Sequence, residues 1–240
     1  APLLGLNPRH EVGAWLEVTQ SLAEAAGLEW RGRFPWDWHA HCDFTMGYTP
    51  SERERLADAL VADFRRVFGH APASVGSWFI DAHTLAHLAD RHGIVASCNC
   101  KDQVGTDGYT AWGGYWNQAY YPSRRNAYMP AQTREGAIPV PVFRMLGSDP
   151  VDQYDWGLGT DVQKVVSLEP VYPHAGGDPA WVRWFFDANF RTPCLTFAYA
   201  QAGQENSFGW PRMRDGLVDQ IERLAASGHI RVETLADSGR

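Results

Sequence analysis

The alternation of helical segments with short apolar, β-branched runs constrains the fold of this chain most. Helical periodicity and capping signals predict helices at 11–26, 51–68, 81–92, 178–190 and 211–226. The runs between them predict buried strands at 28–34, 73–79, 94–98, 138–144, 165–168, 194–199 and 230–234. Ser51 and Glu54 form the predicted capping pair of the second helix. The alternation indicates an α/β fold with parallel strands, either a distorted, incomplete (β/α)7-type barrel, which we prefer, or an open sheet.

The chain is expected to form one domain. No internal repeat, low-complexity tract or Ser/Pro-rich linker divides its 240 residues, so we predict a single β/α-barrel domain over 1–240. The sequence starts without Met and stops just after a predicted strand. We therefore expect it to be an excerpt of a longer chain.

Charge and cysteine content exclude several classes of protein. With 28 acidic and 21 basic residues the net charge is −7, which disfavours nucleic acid and anionic membranes as partners. No apolar run approaches the roughly 20 residues of a membrane span, so we expect a soluble protein. Cys98 and Cys100 are too close in a predicted strand to form a disulfide, and free thiols favour a reducing, cytoplasmic compartment. The sequence does not indicate an oligomeric state.

Three carboxylates at predicted strand ends are the candidate catalytic residues. Asp102, Glu169 and Glu205 each follow a predicted strand, and the carboxyl ends of parallel strands meet at one edge. Cleavage of a glycosidic bond needs one protonated and one ionised carboxyl group. We expect Glu205 to be the general acid, because aromatic neighbours would raise its pKa, and Glu169 to be the nucleophile or base. A helix cap for Glu205 and a structural ion pair for Asp102 stay open.

The segment 107–126 is the most unusual part of the sequence. Its Trp and Tyr residues are interleaved with Gly, Asn, Gln and Arg. Sugars stack their C–H faces on aromatic rings and bond their hydroxyls to amide and guanidinium groups, so carbohydrate is the expected ligand. A lid that packs its own aromatic residues is the structural alternative. The predicted substrate-binding residues are Trp78, Asp81, Lys101, Trp112, Trp116, Asn126, Arg144 and Gln201.

Two pairs of histidines have spacings that occur in metal sites. His39 and His41 are two residues apart, and with Asp37 or Asp43 they could ligate a divalent metal. Hydrogen bonds to a sugar or a core carbonyl are the alternative for this pair. His83 and His87 have helical i, i+4 spacing but lack the Glu of a metalloprotease motif, so we predict an exposed helix face there. No motif for a serine nucleophile or a nucleotide phosphate occurs.

Between Trp36 and Asp102 the order of short motifs resembles the glycoside hydrolase/deacetylase β/α-barrel superfamily, to which polysaccharide deacetylases belong. The matching pieces, after the histidine-bearing segment, are Thr49-Pro50-Ser51-Glu52, Phe68-Gly69-His70-Ala71-Pro72, Gly76-Ser77-Trp78, Ile80-Asp81-Ala82-His83-Thr84-Leu85 and His92-Gly93-Ile94. The resemblance implies a β/α barrel and an enzyme that acts on carbohydrate.

The expected function is therefore a carbohydrate-active hydrolase that cleaves glycosidic bonds with paired carboxylates. Two alternatives stay open: a metal-dependent polysaccharide deacetylase and a non-catalytic carbohydrate-binding protein. Glycosidic cleavage by paired carboxylates requires no cofactor, whereas deacetylation would use a divalent metal held by His39 and His41.

Overall fold

The computed structural model describes residues 9–37, 39–99, 103–106, 109–111, 119–144 and 230–240, with positions 187, 199, 218, 221–222, 224–226 and 228. The chain divides into two compact units. One comprises Ala1–Cys100, Ala119–Arg144 and Glu233–Arg240, and the other comprises Lys101–Gln118 and Met145–Val232. The prediction of a single domain stays a prediction.

A sheet of four parallel strands organises the first unit. The strands of the described chain are β1 (Ala14–Trp15), β2 (Ser74–Ser77), β3 (Ala96–Asn99), β4 (Gln103–Thr106), β5 (Tyr109–Ala111), β6 (Pro122–Ser123), β7 (Asn126–Pro130) and β8 (Val142–Arg144). The sheet has the order β1-β2-β3-β8. Trp15 lies opposite Gly76, Gly76 opposite Cys98, and Cys98 opposite Phe143. The strands therefore end together, at what we call the carboxyl edge.

The predicted parallel α/β architecture is confirmed in this sheet, whereas closure into a barrel stays a prediction. Parallel strands that follow one another in chain order, with helices between the first three, occur in barrels and in open sheets alike. Two antiparallel hairpins, β4–β5 and β6–β7, are separate from the parallel sheet, and β4–β5 belongs to the second unit. Both hairpins lie between β3 and β8 in the chain, so the connection of these two strands contains antiparallel structure.

The helices begin and end at capping residues. In the continuously described stretches they are α1 (Gln20–Ala25), α2 (Ala40–Asp43) followed by a 3₁₀ turn (Thr45–Gly47), α3 (Pro50–Phe68), α4 (Ala82–His92) and α5 (Leu235–Ser238). Thr49 and Glu52 form a reciprocal capping box at the start of α3. Asp81 caps α4, and Gly69 and Gly93 end α3 and α4 in the left-handed conformation. The helix predicted at 81–92 is confirmed, and the one predicted at 51–68 begins one residue earlier and uses a different capping pair.

The core of the first unit lies between the sheet and α3 and α4. One apolar cluster joins strand residues with helix residues that are almost completely buried: Leu16, Ala57, Val61, Val75, Leu85, Leu88 and Val142. Burial of each Leu or Val side chain in this cluster contributes about 1.5–3 kcal/mol to folding. Among the described residues, no helix is both long enough and apolar enough to cross a membrane.

Three of the predicted elements are wrong where the structure describes them. The helix predicted at 11–26 is replaced by β1, an extended segment and the shorter α1, because Ala14, Leu16 and Val18 are buried at the two-residue period of a strand. Residues 28–34 are irregular, with bends at 32–34, and have no strand pairing. Residues 230–234 are also without strand structure, and α5 follows them.

Candidate active site at the carboxyl edge

The chain continues beyond β1 in an extended conformation that carries Glu17 to the carboxyl edge. The backbone N–H of Leu16 donates to the carbonyl of Gly76 at 2.8 Å, which prolongs the pairing of β1 with β2. Trp15 and Glu17 are two residues apart and point to the same face, as alternation in a strand requires. The indole Nε1 of Trp15 lies 2.8 Å from Oε1 of Glu17. The strand thus presents a ring and a carboxylate side by side.

Glu17 accepts hydrogen bonds from three tryptophans. Besides Trp15, the indole of Trp78, which follows β2, donates to Oε1, and the indole of Trp36 donates to Oε2 at 3.3 Å. An indole N–H can only donate, so Glu17 is the acceptor in all three hydrogen bonds. Trp15 and Trp36 keep 42% and 50% of their surface exposed, and Trp15 meets Trp78 edge to face. Aromatic surface therefore surrounds an anchored carboxylate at this edge.

Asp43 is the second acid at the edge. It is the last residue of α2 and is 2% exposed, and its Oδ1 has no partner among the described residues. Burial, followed by the negative charges of Glu17 and Asp37, raises the pKa of Asp43 to about 7. Asp43 can therefore hold a proton near neutral pH, as a general acid must.

Asp37 orders the loop that carries Trp36 and His39. Its carboxylate accepts the backbone N–H of Arg33 at 2.9 Å and both the backbone N–H and the ring Nδ1 of His39. These hydrogen bonds, led by that from Arg33, hold the pKa of Asp37 well below its usual range. Asp37 thus stays ionised, whereas Asp43 tends to be protonated. Two acids of the same type therefore differ in protonation because their surroundings differ.

Asn99, the last residue of β3, is also buried at the carboxyl edge, at 2% exposure. Neither polar atom of its side chain has a partner within the described ranges. A buried amide without partners is costly, and water or a ligand hydroxyl commonly satisfies such a group. Asn99 is therefore a further candidate for contact with a polar ligand.

Two predicted site residues at strand ends have defined surroundings. Trp78 lies at the carboxyl edge and donates to Glu17. Asp81 caps α4, accepts the hydroxyls of Thr45 and Thr84, and pairs with Arg53 at 2.8 Å. Burial tends to raise the pKa of Asp81, but the hydrogen bonds and the Arg53 charge outweigh it and leave the pKa lowered. Asp81 is thus an ionised helix cap, and substrate binding by it stays a prediction.

The remaining predicted site residues are distributed differently. Asn126 begins β7, and its side chain accepts the backbone N–H of Tyr128, which orders the β6–β7 hairpin. Arg144 ends β8, but its side chain lies outside the described residues. Also outside them are Lys101, Asp102, Trp112, Trp116, Glu169, Gln201 and Glu205. Their roles therefore stay predictions.

His39 and His41 lie close together near the edge, with ring centroids 6.0 Å apart. The Nδ1 of His39 is engaged with Asp37. Within the described part of the chain, the two rings are not members of a set of three or more potential ligand atoms that lie within 4.8 Å of one another. A metal held by this pair therefore stays a prediction.

Sequence reasoning missed Glu17 and Trp15 and gave Asp43 only a subsidiary role. The cause is the predicted helix at 11–26, which removed β1 from the list of strands and with it the acid that follows β1. Two signals could have found the strand: the alternation of Ala14, Leu16 and Val18 with polar or aromatic residues, and the placement of an acid directly after it.

Comparison with known proteins gives one informative match. No known protein-family model matches the chain, and no curated protein sequence matches it. A solved structure from Parabacteroides distasonis, named "putative glycoside hydrolase/deacetylase", has a similar fold, with a TM-score of 0.58 and 18% sequence identity. The match covers 78% of this chain and 47% of that protein, so the chain spans about half of its length. At this identity the likeness shows the fold alone.

Proposed function

We propose that the chain is a carbohydrate-active hydrolase that cleaves glycosidic bonds at the carboxyl edge, with Asp43 as the proton donor and Glu17 as the ionised carboxylate. The observation that carries the proposal is the pairing at one sheet edge of a buried acid with a raised pKa and a carboxylate anchored by indoles. Glycoside hydrolysis requires two carboxyl groups in these two states.

Asp43 suits the role of proton donor for two reasons. Its pKa of about 7 keeps a large fraction of the carboxyl protonated at neutral pH, so a proton is available for the leaving oxygen. Its Oδ1 makes no hydrogen bond within the described residues, so the carboxyl group is not held by a structural partner there. A structural carboxylate at this level of burial would instead be expected to use both oxygens in hydrogen bonds.

Glu17 suits the role of the charged partner. Its negative charge is one of the causes that raise the pKa of Asp43, so the two carboxyl groups act on each other electrostatically. Three indoles hold its orientation, as positioning of a nucleophile or base demands. In the reaction, Glu17 either attacks the anomeric carbon or takes a proton from the attacking water, while Asp43 gives its proton to the leaving oxygen.

The exposed rings indicate the kind of substrate. Trp15 and Trp36 present aromatic faces to solvent beside the two acids. Aromatic faces next to hydrogen-bonding groups are typical of sites that bind sugar rings. The fold shared with the solved structure named as a glycoside hydrolase/deacetylase agrees with an enzyme of this class.

The proposal is tested by assaying the full chain against a panel of polysaccharides and their acetylated forms, with reducing ends and free acetate measured together. We expect the wild type to release reducing ends, and Asp43→Asn and Glu17→Gln each to lose at least about 100-fold in kcat. Asp63→Asn and Glu24→Gln are matched controls, because both residues lie on exposed helix surfaces and pair with a residue of their own helix.

Two outcomes would contradict the proposal. Folded Asp43→Asn protein with the activity of the Asp63→Asn control would remove Asp43 from the mechanism. Release of acetate without reducing ends would assign the chain to deacetylation. The same assay on Glu169→Gln, Glu205→Gln and Asp102→Asn tests the acids predicted from the sequence alone.

A further inference from the structure

Two histidines of α4 converge on one carboxylate oxygen of α3. The Nε2 atoms of His87 and His92 lie 2.8 Å and 2.6 Å from Oδ1 of Asp58. All three potential ligand atoms lie within 4.8 Å of one another, and the two imidazole rings are 5.7 Å apart at an interplanar angle of 69°. The helices α3 and α4 thus bring two nitrogens and one oxygen to a single point.

The two histidines of the cluster are better shielded from solvent than the groups of a surface ion pair, whereas the Asp58 side chain is 38% exposed. The side chain of His92 is 9% exposed and that of His87 is 15% exposed. The prediction that His83 and His87 share an exposed helix face is therefore wrong for His87, because α3 covers its ring. One turn earlier on the same helix, His83 pairs singly with Glu54, and both of those side chains are more than 40% exposed.

The cluster also lies away from the carboxyl edge. The helix α4 starts just after the carboxyl end of β2 and ends at Gly93, shortly before β3 begins. His92 is its last residue and His87 is its middle residue. The cluster therefore lies toward the amino ends of the strands, and Asp43 and Glu17 play no part in it.

We propose that Asp58, His87 and His92 form a binding site for a divalent transition-metal ion of the zinc type, which fastens α3 to α4. Two imidazole nitrogens with one carboxylate oxygen are a common donor set for zinc, and such sites leave a fourth position for water. The three donor atoms already lie within 4.8 Å of one another, so the fold brings the ligand set together.

Little movement is needed to admit the ion. A tetrahedral ion with bonds of about 2.0–2.1 Å separates its ligand atoms by about 3.4 Å. The two nitrogens lie 2.6–2.8 Å from Oδ1, so each must move away from it by about 0.6–0.8 Å. Small rotations of the imidazole and carboxylate side chains supply such a shift without moving either helix.

Arg91 is the group that opposes a cation. Its Nε lies 3.4 Å from Oδ1 of Asp58, where it would repel the ion. Its side chain is 65% exposed and can turn into solvent. Arg91 and a metal ion would compete for Asp58. If the site binds a metal, removal of the guanidinium should strengthen metal binding. If the cluster is only a set of ion pairs, the same change should only weaken the cluster.

The test is calorimetric titration of the full chain, freed of metal by chelation, with zinc chloride. We expect one ion per chain at this site, at least about tenfold weaker binding in Asp58→Asn, His87→Gln and His92→Gln, and tighter binding in Arg91→Gln. His83→Gln is the matched control on the same helix. The double variant His39→Gln/His41→Gln excludes the other histidine pair as the source of the signal, and both controls should bind zinc as the wild type does.

Thermal unfolding with and without zinc is a second test of binding, for variants that fold poorly. Zinc should raise the Tm of the wild type and of Arg91→Gln, because the ion holds two helices together, and should leave the Tm of Asp58→Asn unchanged. The proposal is overturned if the wild type binds no zinc, if binding persists unchanged in Asp58→Asn and His92→Gln, or if only the His39/His41 double variant loses it.

Discussion

The backbone N–H of Val18 donates to the carbonyl of Asp43 at 2.8 Å. This bond fastens the end of α2 to the extension of β1. It brings the side chain of Asp43 close enough to Glu17 for the charge of one to raise the pKa of the other. The backbone therefore brings together the two acids of the proposed site, one from the extension of β1 and one from the end of α2.

The raised pKa of Asp43 gives folding stability a specific pH dependence. Its folded-state pKa is about 7 against an ordinary value of 3.8, so the folded chain binds a proton that the unfolded chain releases. The contribution is fully present below about pH 4 and is lost as pH rises toward 7, at about 1.4 kcal/mol per pH unit. We expect Asp43→Asn to flatten this slope in urea unfolding, and the Asp63→Asn control to keep it. An unchanged slope in Asp43→Asn would contradict the assignment.

Activity should depend on the same proton. If Asp43 donates it, the turnover rate falls as pH rises through about 7, because the carboxyl loses the proton that the leaving oxygen needs. The pH profile of kcat on the best substrate of the panel measures this. A rate that stays constant through that pH, with the enzyme folded throughout, would exclude Asp43 as the donor.

The indole of Trp78 should stabilise the fold through its bond to a charged acceptor. We expect Trp78→Phe, which keeps an aromatic ring but removes the N–H, to lose about 1–2 kcal/mol of unfolding free energy. Trp30→Phe is the matched control, because the Trp30 indole donates to the neutral carbonyl of Phe34 at 2.8 Å. Denaturant unfolding should show the larger loss for Trp78→Phe. An equal or smaller loss would mean that the bond to Glu17 adds nothing beyond an ordinary hydrogen bond.

The start of α3 can be located by mutation. Thr49 forms the capping box with Glu52, so Thr49→Ala should cost about 1 kcal/mol of unfolding free energy. Ser51, which the sequence indicated as the cap, lies inside the helix, so Ser51→Ala should change stability by less than about 0.5 kcal/mol. The reverse order of the two losses would place the cap at Ser51.

The part of the first unit from β2 to β3 was predictable because its sequence signals are local and agree with one another. Asp81 before an amphipathic segment and Gly93 after it fix α4, and the strands on either side agree with the predicted runs 73–79 and 94–98 to within two residues at their carboxyl ends. Each of these signals depends on neighbours within a few residues, as capping and periodicity do.

The site was less predictable because its signals are not local. β1 forms only two residues of strand, and its pairing with β2 depends on residues about 60 positions later, so helical spacing was the stronger pattern in sequence. The pKa of Asp43 depends on Glu17, 26 residues away, and the Asp58 cluster depends on the packing of α3 against α4. Patterns of spacing between neighbouring residues do not predict contacts between residues this far apart in the sequence.

Titration of the Asp43 carboxyl carbon by NMR, in the wild type and in Glu17→Gln, tests the paired acids most directly. We expect a titration midpoint near 7 in the wild type and a lower midpoint in Glu17→Gln, because the neighbouring charge has been removed. A midpoint near the ordinary value of 3.8 that is the same in both proteins would contradict it.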